Sequence, residues 1–135
     1  MGRSLLILLD THVVFWLGLD PNRVSQKAAT AIDQTRRAGE GLAISAVTLL
    51  ELARLSAKKE VQLNASLESF LAEVERIFVV LPITSRICIQ TLSLPASYPK
   101  DPLDRVIGAT ALVEGLPLVT ADAQIRNSRA VPTIW

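Results

Sequence analysis

Cysteine, histidine and aromatic residues are scarce in this chain of 135 residues: one Cys, one His, three Phe, two Trp and one Tyr. A single cysteine, Cys88, excludes an internal disulfide, and one Cys with one His cannot assemble a Cys/His metal cluster. A reducing compartment, the cytoplasm, is expected. Long hydrophobic runs are missing too: none approaches the roughly 20 residues needed to cross a bilayer, so no membrane partner is expected. The run Leu5-Leu6-Ile7-Leu8-Leu9 behind Arg3 imitates a secretion signal, yet Asp10 ends it and no small-residue cleavage site follows closely, so it reads as a strand. An excess of one charge is also lacking, since 14 Lys and Arg against 13 Asp and Glu leave +1. That argues against broad, non-specific nucleic-acid binding without excluding a local basic surface.

What the chain has is apolar content, half of its residues. This excludes intrinsic disorder and, at this length, predicts one core and one domain over residues 1–135. Short continuous apolar runs alternate with longer, helically spaced stretches, the pattern of an α/β domain with a central, mainly parallel sheet of four to five strands between helices, a three-layer α/β/α arrangement. Residues 5–9 predict the first strand, and Thr11 to Leu17 a short helix ended by Gly18 and the turn at Asp20-Pro21-Asn22. Ser25 can cap a helix through Ala28, Ala29, Ile32 and Thr35 that stops at Gly39. Leu42 to Ile44 predict a second strand, and Ser45 can cap the helix carrying Val47, Leu50, Glu51 and Leu55. Leu67, Phe70, Leu71 and Val74 recur at helical spacing. Phe78 to Leu81 predict a third strand, Thr84 or Ser85 a helix start, and residues 95–101 a loop. Asp101-Pro102 opens a helix to Gly115, Leu116 to Thr120 predict a fourth strand, and Val131 to Ile134 a final edge strand.

Acidic residues fall where such a sheet places a ligand crevice, outside the carboxyl ends of its strands. Asp10 follows the first strand, Glu51 lies in the second turn of the helix after the second, Asp122 stands two residues past Thr120, and Asp104 sits in the first turn of the helix opened by Pro102. Four carboxylates in one crevice repel one another unless a cation neutralises them. Hard oxygen donors without sulfur select Mg²⁺ or Mn²⁺, ions that activate water and stabilise the leaving oxygen of a phosphodiester.

Each acid also has a plainer use. Asp10 and Asp122 could be helix caps, and Asp101 with Asp104 matches a cap arrangement favouring negative charge at a helix start. That use is preferred for Asp101 and not for Asp104. Glu51 could pair with Arg54, but it lies within the nearly apolar Val47-Thr48-Leu49-Leu50-Glu51-Leu52-Ala53, where a lone carboxylate is costly.

Ile7-Leu8-Leu9-Asp10-Thr11-His12, Ile44-Ser45-Ala46-Val47 leading to Glu51-Leu52-Ala53, Asp101-Pro102-Leu103-Asp104-Arg105 continuing to Ala111, and Leu118-Val119-Thr120-Ala121-Asp122 resemble the four motifs of PIN-domain ribonucleases. Their order and spacing, with the terminal Val131-Pro132-Thr133-Ile134-Trp135, are most similar to VapC-type toxins of bacterial toxin–antitoxin pairs. The resemblance covers nearly the whole chain. It implies a PIN-like fold and an endoribonuclease dependent on Mg²⁺ or Mn²⁺, with Asp10, Glu51, Asp104 and Asp122 as catalytic and metal-binding acids. Thr11, Ser45 and Thr120 match polar positions beside the acids and would orient carboxylates or water. It further implies an RNA substrate, a cognate antitoxin and a homodimer. The chain departs from the pattern at Leu50, where many relatives place a tryptophan, at Tyr98-Pro99-Lys100, and after Arg54.

Candidate phosphate contacts are Arg54, Lys58, Lys59, Lys100, Arg105, Arg126 and Arg129. His12 is expected to be a structural helix residue, Phe15 and Trp16 to pack in the core, and Cys88, between Ile87 and Ile89, to be a small buried apolar residue. Two other functions compete: a housekeeping RNA-processing nuclease, and an inactive module binding RNA or protein. A phosphatase or phosphoacceptor domain expects a second acid near Asp10 and a lysine at the last strand, and this chain has neither.

Overall fold

The computed structural model describes residues 6–58 and 66–135. Five short strands form one parallel sheet: β1 (Ile7–Leu9), β2 (Leu42–Ser45), β3 (Val79–Leu81), β4 (Leu118–Val119) and β5 (Thr133–Ile134), in the order β3-β2-β1-β4-β5. Among the described residues seven α-helices connect them: α1 (Thr11–Leu19), α2 (Gln26–Arg37), α3 (Ala46–Ala57), α4 (Leu67–Ile77), α5 (Ser85–Thr91), α6 (Pro102–Glu114) and α7 (Ala123–Ser128). Among the described residues no helix is long and apolar enough to cross a membrane.

The central strand explains why its sequence does not alternate. Ile7 and Leu9 point into one core with Val13, Phe15, Ile32 and Leu52, while Leu8 points into the other with Tyr98, Ile107, Ala111 and Leu118. Successive strand side chains face opposite sides, so a strand covered on both faces must be apolar throughout. These two cores are the filling of a three-layer α/β/α sandwich.

Capping follows the sequence closely. Asp10, Ser25, Ser45, Ser66, Thr84, Asp101 and Asp122 each accept a backbone N–H at the start of the next helix, and Gly115 ends α6 at φ 67°. Several boundaries differ from expectation. Helix α1 runs through Gly18, where a Cβ would meet nothing within 4 Å, and ends at Leu19 with Asp20 as its C-cap. The residue before a proline is driven out of the α region, and Asp20, preceding Pro21, has φ −153° and ψ 69°. β4 and β5 are shorter than their apolar runs because Pro117 and Pro132 lack the N–H that would extend the ladder. Phe78 ends α4 by donating its N–H to the Val74 carbonyl, so β3 starts one residue later than expected.

Cys88 is exposed, not buried. Helix α5 buries Ile87 on its inner side, and the next two residues rotate outward, leaving Ile89 68% exposed. An apolar triplet on a helix does not share one face.

Candidate active site

The strand order places β1 between β2 and β4: the chain steps outward from β1 through β2 to β3, then crosses back to β4 and β5 on the other side of β1. At such a switch point a crevice opens beyond the carboxyl ends of the strands. Asp10 ends β1, and its N–H donates to the Val119 carbonyl of β4 at 3.0 Å. The side chain is only 7% exposed. Its Oδ1 accepts the Thr11 N–H at 2.9 Å and its Oδ2 accepts the Thr120 hydroxyl at 2.7 Å. Burial pushes the Asp10 carboxyl above its usual range, and the hydrogen bonds from Thr120 and Thr11 pull against that shift.

Thr120 has two tasks, because its Oγ1 also accepts the Asp122 N–H at 3.1 Å. Asp122 then caps α7, accepting the Ile125 N–H at 3.0 Å. Cap and cleft residue are the same side chain here.

Glu51 arrives from the second turn of α3, half-buried, and accepts the Thr11 hydroxyl at 2.6 Å. With its one proton so used, Thr11 Oγ1 must accept from Thr48, 3.1 Å away. A relay of two buried hydroxyls thus aims Glu51. No pairing with Arg54 forms among the described residues. Ser45 behaves differently: fully buried, it accepts the Val47 N–H at 3.1 Å and touches no acid. It acts by starting the helix that carries Glu51.

Asp104 stands in the first turn of α6 behind the cap Asp101, which accepts the Leu103 N–H at 2.8 Å. Among the described residues no donor reaches the Asp104 carboxylate. Burial, then the charges of Asp10, Asp101, Glu51 and Asp122, push it up to about 7. Its helix turn is pinned by Tyr98, whose hydroxyl donates to the Asp104 carbonyl at 2.8 Å. The Tyr98 ring lies against Gly108, where a Cβ would come within 2.4 Å of the hydroxyl oxygen. Tyr98, at the chain's departure from the motif pattern, is fully buried scaffold beneath Asp104.

Asp10, Glu51, Asp101, Asp104 and Asp122 line one cleft of about 450 Å³, together with His12, Trp16, Arg23 and Ala121. The sequence-derived acids therefore converge on one space, joined by Asp101. His12 is a residue of α1, exposed on the rim, and Trp16, half-buried, packs against the core as expected while its remaining surface lines the cleft. Phe15 also packs in the core as expected, stacking on Phe70 with ring centres 6.5 Å apart.

None of the candidate phosphate contacts among the described residues lines the cleft. Arg54, Lys58, Lys100, Arg126 and Arg129 are exposed, and Lys59 lies outside the described residues. Arg105 donates to the carbonyls of Thr91, Leu94 and Pro95 at 3.1, 3.4 and 3.4 Å. Its guanidinium ties the 91–95 segment to α6. The arginine on the wall is Arg23, which sequence reasoning passed over. It ends a 3-10 turn, Pro21–Arg23, that folds back against α1, and only the Pro21 start signal hinted at that turn.

The donor chemistry fits a hard divalent cation: five carboxylates, no thiolate, and a half-buried Asp104 whose charge no donor offsets. Among the described residues, however, no three His, Cys, Asp or Glu side chains form a ready-made metal site. Mutual repulsion of bare carboxylates is the physical reason to expect an open set.

Comparison with known proteins agrees with this geometry. The PIN domain family model matches residues 7–130. Ribonuclease VapC22 of Mycobacterium tuberculosis is 35% identical over 131 residues, covering 96% of this chain and 98% of that protein. Among solved structures, VapBC2 from Rickettsia felis, bound to a DNA fragment from its promoter, superposes with a TM-score of 0.70 at 14% identity over 95% of this chain and 96% of that one. DNA-bound VapBC from Salmonella typhimurium gives 0.67 at 21% identity, covering 97% of each chain.

Proposed function

The chain belongs to the PIN-domain family, and from that membership we propose that it is a divalent-metal-dependent endoribonuclease, the toxin of a toxin–antitoxin pair. The observation that carries the reading is the convergence of Asp10, Glu51, Asp104 and Asp122 on one cleft, with Asp104 forced up to about 7 by burial and by its acidic neighbours. A cluster of like charges costs stability unless it serves to collect cations. The 35% identity to Ribonuclease VapC22 supports the activity and favours a toxin over a housekeeping nuclease.

In this reading the four acids hold Mg²⁺ or Mn²⁺, which supplies Lewis-acid activation of water and of the phosphate. The chain's own residues set the geometry. Thr120 and the Thr11 N–H fix both oxygens of Asp10, Thr11 turns Glu51 toward the cleft, the cap at α7 fixes Asp122, and Tyr98 fixes the helix turn that carries Asp104. Asp104 is the acid with no competing donor, and so the one whose charge a cation offsets most. The solved toxin–antitoxin assemblies of the fold support a cognate antitoxin as partner, and we assign the protein to the cytoplasm.

The test is cleavage of single-stranded RNA by the purified chain with Mg²⁺ or Mn²⁺. Chelator and Asp104→Asn should each abolish it while circular dichroism stays native. Cleavage retained in both sinks the proposal.

A further inference from the structure

The cleft wall bears one arginine facing five carboxylates, and what it does rests on the ribonuclease reading above. Arg23 is exposed, and among the described residues it forms no ion pair. Its guanidinium carbon lies 4.6 Å from the centre of the Trp16 ring. Trp16 is in turn 6.1 Å from His12 and 5.8 Å from Trp135, ring centre to ring centre. His12, Trp16 and Arg23 also line a second cavity of about 280 Å³, walled by Phe15, Leu19, Asp20 and Leu55 as well. The three side chains are a partition shared by both spaces.

A strand of nucleic acid crossing that partition needs a cation for a phosphate and an apolar face for a base. Both are present. Phosphate entering the acidic cleft meets five carboxylates, so a fixed positive group at the mouth decides where the backbone can run. Arginine suits this because its planar fork matches phosphate geometry, and contact with the Trp16 ring restricts its rotamers before the ligand arrives. Unpaired RNA bases bind by stacking on aromatic or guanidinium planes, which His12, Trp16 and Arg23 offer within one cluster.

We propose that Arg23, held over Trp16, grips the RNA phosphate adjoining the scissile one, and that the cavity behind His12 and Trp16 receives the unpaired base of that nucleotide. Arg23 is thus a positioning residue that sets the register of the strand against the acids. A protein segment could also enter this cavity, and the experiment separates the two.

The measurement is binding of a short single-stranded oligoribonucleotide to the Asp104→Asn chain by fluorescence anisotropy at several salt concentrations with Mg²⁺ present. Adding Arg23→Ala should weaken binding about tenfold and reduce the slope of log affinity against log salt by about 0.7, one phosphate contact on a single strand. Arg23→Lys should keep the slope and recover only part of the affinity. In an otherwise unaltered chain, Arg23→Ala should raise KM with kcat nearly constant, a split that loss of packing alone does not produce. If RNA is cleaved but affinity, slope and KM ignore Arg23, the inference is overturned and the cavity passes to a protein partner. If RNA is not cleaved yet binding depends on Arg23, the nuclease reading falls and with it the register against a scissile phosphate, while the phosphate contact of Arg23 stands. Absence of both cleavage and binding removes both.

Discussion

The Thr120 hydroxyl donates to Asp10 Oδ2 at 2.7 Å, joining residues 110 positions apart in the chain. Two parallel strands lie side by side there, and the bond pulls against the upward shift that burial imposes on the Asp10 carboxyl. Thr120→Val removes the donor without changing shape, leaving the carboxylate with one hydrogen bond. The expected cost is about 1–3 kcal/mol of stability, the desolvation penalty of an unpaired buried polar group, with divalent-ion affinity lowered roughly 10–100-fold. Thr120→Ser should restore most of both. Denaturant unfolding and Mn²⁺ titration measure them, and equal behaviour of the Val and Ser variants refutes the role.

Stability should fall as pH rises from about 4 to about 7 in chelator. The ordinary value of Asp104 is 3.8 and its folded value about 7. In that window the folded protein holds a proton that the unfolded chain has released, so raising pH favours unfolding, and the effect ends above the folded value. Asp10 is shifted the same way. Melting temperatures at pH 5, 6, 7 and 8 check this. Asp104→Asn should flatten the profile, and millimolar Mg²⁺ or Mn²⁺ should raise the melting point most at pH 8. A rising profile in chelator contradicts the electrostatics described.

Gly108→Ala tests the support beneath Asp104. The new methyl would sit 2.4 Å from the Tyr98 hydroxyl, so the ring must move and its bond to the Asp104 carbonyl must break. Overpacking of this kind costs about 1–3 kcal/mol. Tyr98→Phe loses only the hydrogen bond, about 0.5–1.5 kcal/mol. Activity should follow the same ranking, lower in Gly108→Ala than in Tyr98→Phe.

Much of this architecture is written locally. Ile7–Leu9 reads as a doubly covered strand because each side chain needs an apolar neighbour, and Ser25, Ser45, Asp101 and Asp122 read as caps because each serves donors within three residues. The acids were legible for the same reason: strand ends are local, and the sheet does the gathering. Arg23 was not, since its place on the wall depends on how a three-residue turn packs against α1. Arg105 misled because its positive charge invites a phosphate, while three carbonyls of the 91–95 segment, reached only after folding, take its protons. Cys88 misled because an apolar triplet says nothing of helix phase.

The parallel order β2-β1-β4 also sets a schedule for synthesis. Asp10 and Glu51 leave the ribosome before Asp104, Thr120 and Asp122, and β1 has no neighbour on its second side until β4 docks. A nascent or prematurely ended chain therefore carries half the acids around an unfinished sheet. Whatever chemistry the cleft performs has to wait until β4 docks beside β1.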